Sequence, residues 1–462
     1  MSDKRISRRG FLGGSAASAL TLTVVPRHVL GATKKSEAPS DKLNIASIGA
    51  GGKGSSDLRG VSSQNIVALC DVDDKKAADT FKHFGKARKY KDYRKMLDAM
   101  DKSIDAVTVS TPDHVHAPAS MKAMKMGKHC FTQKPLCHNV FEAREMARTA
   151  KEMKVATVMG IQAHAHEGPR RVCEWVWNGM IGPVREVHYW TDRPIWPQGI
   201  RRPKGSKPVP KHLDWDLWLG PAANRPYNDA FAQWRSKKVG YLPFHWRAWW
   251  DFGCGALGDI GCHAMDAAFW ALKLGSPTVI EPTKMSGRNP DTGPKWSTIT
   301  YRFPARGDMP PVKVVWRDGV KKGQNSPPPR PKELEPEFRL PGNIGGQLIV
   351  GDKATILTNV YCGGPRIIPE AKRKAIGNPP QSIPRAPHNS HYEEWIRACK
   401  GGPKCGANFT DYAGPLTEMV LLGNLAVRTG MRIEWDAANS RCTNVPEANQ
   451  FLRRDYRRGF EL

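Results

Sequence analysis

Gly49-Ala50-Gly51-Gly52-Lys53-Gly54 fits the pattern G-x-G-x-x-G and directly follows the apolar run Leu43 to Ile48. Glycines at these spacings permit a tight turn, bring backbone N–H groups against a pyrophosphate, and let the next helix pack closely with its positive end at the phosphates. Asp71 stands 22 positions beyond Gly49, at the end of the next apolar run. A carboxylate there accepts hydrogen bonds from adenosine ribose hydroxyls and repels a 2′-phosphate, which favours NAD over NADP. Two later stretches, Ser110-Thr111-Pro112-Asp113-His114-Val115-His116 and Thr132-Gln133-Lys134-Pro135, lie at the carboxyl ends of strands, where open parallel sheets bind ligands. Oxidising a secondary alcohol requires a base at the hydroxyl oxygen while hydride leaves for the nicotinamide. Lys134 fits as base in one direction and acid in the other; His263 is the second candidate, with Asp259 orienting it or binding a substrate hydroxyl. Each residue type also has a plainer use, as a strand-end lysine reaching solvent or an aspartate capping a helix.

The elements that must position these groups are legible from periodicity. Short apolar runs at Leu43 to Ile48, Ile66 to Cys70, Ala106 to Ser110, His129 to Thr132 and Ala156 to Ile161 alternate with helical stretches. That alternation predicts a parallel sheet covered on both faces. Asn139 and Glu142 mark a capping box, and Gly127 closes the preceding helix. If the segment from Gly255 is helical, Asp259 and His263 share one face, with Asp266 three further on. After Gln162 the pattern changes to longer loops, Arg193 to Lys211 and Gly323 to Lys332, between strands such as Val184 to Trp190 and Trp296 to Phe303. Eight of the fifteen tryptophans fall between Trp190 and Trp250. Flat aromatic faces suit sugar C–H faces, so Trp246 and Trp249, with Arg247 between them, are candidate substrate contacts together with Gln162, His164 and His166; core packing explains most of the tryptophans equally well.

A length of 462 residues calls for more than one core. The expected division is a leader at 1–32, a linker at 33–41, a dinucleotide domain at 42–163 and a substrate and oligomerisation domain at 164–462. The formal charge of +27 is spread along the whole chain, without a recognition-helix, zinc-finger or basic-zipper pattern, so no nucleic-acid partner is expected. The ten cysteines lack zinc spacing, and most sit in apolar runs as small hydrophobes. Two H-x-H pairs, His114 with His116 and His164 with His166, would each present both imidazoles on one face if extended. Two ligands do not make a site, and no metal is assigned. Ser7-Arg8-Arg9-Gly10-Phe11-Leu12, followed by a weakly apolar run to Val25, resembles a twin-arginine export signal. The run is too short to span a bilayer, so the mature chain is expected in the periplasm or otherwise exported, without stable membrane insertion.

Taken together these motifs resemble the Gfo/Idh/MocA family of glucose-fructose oxidoreductase, inositol dehydrogenase and relatives, over essentially the whole mature chain. The resemblance implies an α/β protein with an N-terminal Rossmann doubly wound sheet and a C-terminal α/β domain carrying a large, mainly antiparallel open sheet that serves as an interface in a dimer or tetramer. It implies NAD held by Gly49, Gly51, Gly52, Gly54, Asp71, Ser110, Thr111, Pro112, His116, Gln133 and Lys134. Catalysis is implied at Lys134, Asp259 and His263, with a carbohydrate or polyol as substrate. Gln133 departs from the family's usual glutamate. The rival enzymatic expectation is an NAD-dependent glycoside hydrolase using transient ring oxidation and elimination; the non-enzymatic one is a nucleotide-bound sugar sensor.

Overall fold

The computed structural model describes residues 41–234, 237–321, 323–342 and 344–462. The expected leader and all but the last residue of the linker lie outside the described residues. Elements run in the order β1 (Asn44–Ile48), α1 (Lys53–Gly60), β2 (Asn65–Cys70), α2 (Asp74–His83), β3 (Arg88–Tyr90), α3 (Tyr93–Ala99), β4 (Ala106–Val109), α4 (Asp113–Lys125), β5 (His129–Thr132), α5 (Val140–Met153) and β6 (Thr157–Met159). These strands form one parallel sheet ordered β3-β2-β1-β4-β5-β6. Ile45, Ala46, Ala68, Val107, Phe131 and Val158 are fully buried, as expected of strands covered on both faces.

Local signals account for the boundaries. Gly127 takes a positive φ of 76° just past α4. Asn139 Oδ1 accepts from Glu142 N at 3.0 Å, as a capping residue should. Glu142 reaches back one residue further than a capping box predicts, to His138 N at 2.8 Å. Its other oxygen accepts from Tyr456 Oη at 2.9 Å and faces Arg454, which draws the C-terminal tail onto this helix. Arg454 also donates to His114 O at 2.5 Å. That carbonyl lacks its helical donor because Pro118, four residues on, has no N–H.

The chain continues through α6 (Glu167–Trp177), β7 (Val184–Thr191), α7 (Trp215–Leu219), β8 (Ala232–Trp234), β9 (Lys237–Val239), α8 (Gly255–Ala271), β10 (Val279–Met285), β11 (Ser297–Phe303), β12 (Val312–Arg317), β13 (Gly345–Gly351), β14 (Thr355–Asn359), β15 (Arg366–Ile368), α9 (Glu370–Ile376), α10 (His391–Cys399), α11 (Gly414–Thr429), β16 (Ile433–Asp436) and β17 (Arg441–Cys442). Nine of these strands form a second sheet, β15-β14-β13-β7-β12-β11-β10-β16-β17, antiparallel except for β7 beside β12. Alternate residues such as Val187, Tyr189, Ile299, Tyr301, Val314, Trp316 and Ile349 are fully buried in the main core shared with α6, α8 and α11. Strands β8 and β9 form a separate hairpin. A satellite core gathers Trp196, Trp215, Trp218, Tyr241, Trp246, Trp249 and Phe252.

The two H-x-H pairs are not extended. His114 and His116 lie in the first turn of α4, and His164 sits in a short 3-10 turn that His166 ends. Neither pair therefore presents two imidazoles on one strand face, and among the described residues no group of three or more His, Cys, Asp or Glu side chains could hold a metal ion. No described helix is long and apolar enough to cross a membrane.

Candidate active site

A cavity of about 370 Å³ opens at the carboxyl ends of the parallel strands, within the range of small-molecule sites. Its wall includes Gly49, Gly51, Gly52, Asp71, Ser110, Thr111, Pro112, Gln133 and Lys134, joined by Gln162, Trp246, Arg247 and Asp259 from later in the chain. The glycines are required by space. A Cβ on Gly54 would stand 1.8 Å from Gly49 O, and one on Gly49, whose φ is 82°, would stand 2.6 Å from Ser110 O. Asp71 braces the turn, because its Oδ2 accepts from Ala50 N at 2.9 Å and Gly51 N at 2.8 Å while Oδ1 accepts from Asp73 N at 3.0 Å. Burial raises this carboxyl above its ordinary value, against the pull of those three N–H groups. A glycine cradle that tolerates no side chain, opening on a cavity and ending in a carboxylate on the next strand, fits a dinucleotide.

Gln133 is explained by its partner. Its Nε2 donates to Asp57 at 2.9 and 3.1 Å, and Asp57 is fully buried. Ser110 Oγ at 2.7 Å, Tyr392 Oη at 2.6 Å and the ammonium of Lys53 complete the shell around that carboxylate. A glutamate at position 133 would set two carboxylates against each other, whereas an amide supplies donors.

Lys134 follows β5 and donates to Asp259 Oδ1 at 3.1 Å and to the main-chain oxygen of Asp259. Arg247 Nε donates to the same Oδ1 at 2.9 Å, and Arg193 Nε lies 4.0 Å from Oδ2. Burial opposes ionisation of Asp259, yet the charges and hydrogen bonds of Lys134 and Arg247 outweigh it and hold the carboxyl well below the usual range. Arg247 in turn lies over the rings of Trp246, at 4.3 Å, and Phe244, at 4.2 Å.

Several expected site residues stand off this wall. His116 is 1% exposed, and its two ring nitrogens lie 2.8 Å from Pro135 O and from Thr111 O. It ties the loop after β4 to the loop carrying Lys134, and so acts as a positioning residue. His263, one turn along α8 from Asp259, is 4% exposed with its ring 5.0 Å from that of Tyr361. Burial, reinforced by the charge of Lys134, pushes its imidazole down to about 3, so it is neutral near pH 7. His164 bonds Asp266 at 2.7 Å inside the core beside Tyr412, and His166 faces solvent. Trp249 is a core residue against Phe231 and Tyr241. Conversely, Asp113, Trp218, Phe244 and Phe460 line the cavity without having been singled out. Asp113 carried a signal, as an acid opening a helix at a strand's carboxyl end. Phe460 carried none, because it arrives from the far end of the chain.

Fold and site together define a dinucleotide-binding oxidoreductase. Residues 43–161 match the profile of an oxidoreductase family with an NAD-binding Rossmann fold, and residues 194–309 match that family's C-terminal alpha/beta domain. The chain belongs to the Gfo/Idh/MocA oxidoreductase family. It is 28% identical over 208 residues to a glycosyl hydrolase family 109 protein of Shewanella pealeana, covering 39% of this chain and 44% of that one. It is 26% identical over 143 residues to myo-inositol 2-dehydrogenase of Thermotoga maritima, covering 30% and 42%. The chain thus spans less than half the length of these curated relatives. In fold it resembles the WlbA dehydrogenase of Bordetella pertussis, solved in complex with NADH and UDP-GlcNAcA, with TM-score 0.57, 16% identity and coverage of 86% and 99%.

Proposed function

We propose that this protein transfers hydride between NAD and a secondary hydroxyl of a sugar, cyclitol or glycoside. The observation that carries this is one cavity wall shared by the Gly49 to Gly54 turn and the Lys134–Asp259–Arg247 cluster. NAD, held by the glycine turn and Asp71, supplies a hydride acceptor and donor. Lys134 exchanges a proton with the hydroxyl oxygen, Asp259 holds the lysine amine in place, and Arg247 holds Asp259. Trp246 offers an aromatic face toward the ring of a sugar. Asp71 favours NAD over NADP because a 2′-phosphate would meet its carboxylate. Native mass spectrometry of the purified protein tests the cofactor: a co-purified mass equal to NAD supports it, and a nucleotide-free protein that binds neither NAD nor NADH contradicts it.

The glycosyl hydrolase relatives favour a second reading, in which a ring hydroxyl is oxidised transiently and the aglycone eliminated before the hydride returns. Incubation with glycosides separates the two: net NADH formation marks the dehydrogenase, and aglycone release with no net NADH marks the hydrolase. We further propose export through Ser7 to Leu12, and assembly into a dimer or tetramer through the open sheet. Replacing Arg8 and Arg9 by lysine should leave the protein in the cytoplasm; unchanged export would contradict that route.

A further inference from the structure

Among the described residues two carboxyls of the cavity wall have no ion pair, Asp71, which main-chain N–H groups hold on the glycine turn, and Asp113, which lies toward Lys134. Asp113 begins α4, directly after the β4 loop that carries Thr111 and Pro112, and it lines the cavity while only 3% exposed. Its hydrogen-bond donor is the main-chain N–H of Cys254, 3.0 Å from Oδ2. Lys134 and Arg247, the nearest cations, are both engaged on Asp259, and Asp113 has no ion pair among the described residues. Asp113 and Asp259 therefore stand on one wall in opposite states. Asp259 is held ionised by the cations that touch it, whereas burial pushes Asp113 up to about 7, against the more distant charges of Arg247 and Lys134 and with help from Asp259. The Cys254 thiol beside it is raised by burial, and the two histidines of its own helix, His114 and His116, are lowered by burial.

The strand order sets which part of a dinucleotide Asp113 would meet. Asp71 follows β2 and Lys134 follows β5, three strand spacings apart in the order β2-β1-β4-β5, or about 14 Å. Asp113 follows β4, beside the lysine and two strands from Asp71. Resting on the proposed NAD-dependent reaction, we propose that Asp113 is a second acid–base group of this site, ionised beside the oxidised cofactor and protonated beside the reduced one. In alcohol oxidation the C–H bond breaks with its electron pair leaving as hydride to NAD⁺. The O–H bond breaks with its pair forming the carbonyl, the Lys134 amine takes that proton, and the ammonium so formed passes a proton to the Asp113 carboxylate and returns to the amine. The reverse direction returns it.

The test needs no substrate. NAD⁺ carries a cationic nicotinamide and NADH a neutral one, so only NAD⁺ gains from an ionised neighbour. Affinities of wild type for each are measured by calorimetry across the neutral range. The ratio of NAD⁺ to NADH affinity should rise by about tenfold from about pH 6 to about pH 8. Asp113→Asn keeps an acceptor for Cys254 N, so it should fold and bind both forms with a flat ratio. Lys134→Met should keep the rise and move its midpoint to higher pH, because a charge that lowers the Asp113 value is gone. A flat ratio in wild type, or the same rise in Asp113→Asn, would overturn the assignment. A rise that disappears in Lys134→Met would give the titration to the lysine and overturn it as well. Failure of wild type to bind either nucleotide would remove the NAD reading itself.

Discussion

On one side of the cavity Gly49, Gly51 and Gly54 work by what they lack, since any side chain there would strike Ser110 O, Lys76 or Gly49 O. On the other, Lys134, Arg247 and Asp259 work by what they carry, charges brought together from a strand end and, more than a hundred residues later, from a 3-10 turn and a helix. The first side is made by neighbours in sequence and fails by collision. The second is assembled by tertiary structure and fails by losing chemistry while the fold survives. On the proposed reading, loss of the first should remove nucleotide binding and loss of the second should remove turnover.

Substitutions can break or sharpen the contrast. Gly54→Ala sets a Cβ against a backbone oxygen that cannot step aside, so nucleotide binding should vanish, read by quenching of tryptophan fluorescence on adding NADH. Gly127→Ala, at positive φ but in open space, should cost only about 1 kcal/mol in thermal unfolding and leave binding intact. Among the tryptophans, Trp249→Ala should cost about 3–5 kcal/mol of stability, because the residue is 1% exposed in the satellite core. Trp246→Ala should also lose stability, being 8% exposed in the same core, but should in addition raise KM, since its ring lies on the cavity wall; an unchanged KM would erase the distinction between the pair. Gln133→Glu should cost about 1–3 kcal/mol near neutral pH by facing Asp57. Repulsion raises the folded-state pKa of that carboxyl pair above its unfolded value, so the loss is present at high pH and recovers as pH falls; urea unfolding at several pH values reads it. Asp71→Ala should narrow the preference for NAD over NADP by about tenfold, or ~1.4 kcal/mol, read as the ratio of the two dissociation constants.

Much of the nucleotide side was legible because each signal is local. The strands β1, β2, β4 and β5 lie within a residue of the apolar runs that predict them, and Asn139 caps α5 as its type implies. β3 escaped notice because Arg88–Tyr90 is short, basic and mostly exposed. The H-x-H pairs misled because spacing of two implies one face only in an extended chain, and Thr111-Pro112 instead opens a helix at Asp113. On the substrate side, sequence supplied residue types without positions. Trp246 and Trp249 are equivalent in sequence, yet one meets the cavity and the other Phe231 and Tyr241. The reason for Gln133 also lay out of reach, because Asp57 meets it only through the packing of α1 on the sheet.

The central claim is that Lys134 moves the proton for hydride transfer in this cavity without holding the cofactor there. The direct measurement is accumulation of reduced nicotinamide, followed by its absorbance, when wild type and Lys134→Met are given NAD⁺ and a panel of sugars, cyclitols and glycosides. Net NADH should form with wild type, and kcat should fall by about 10²- to 10⁴-fold in Lys134→Met while calorimetry finds its NADH affinity unchanged. Turnover undiminished in Lys134→Met would contradict the claim.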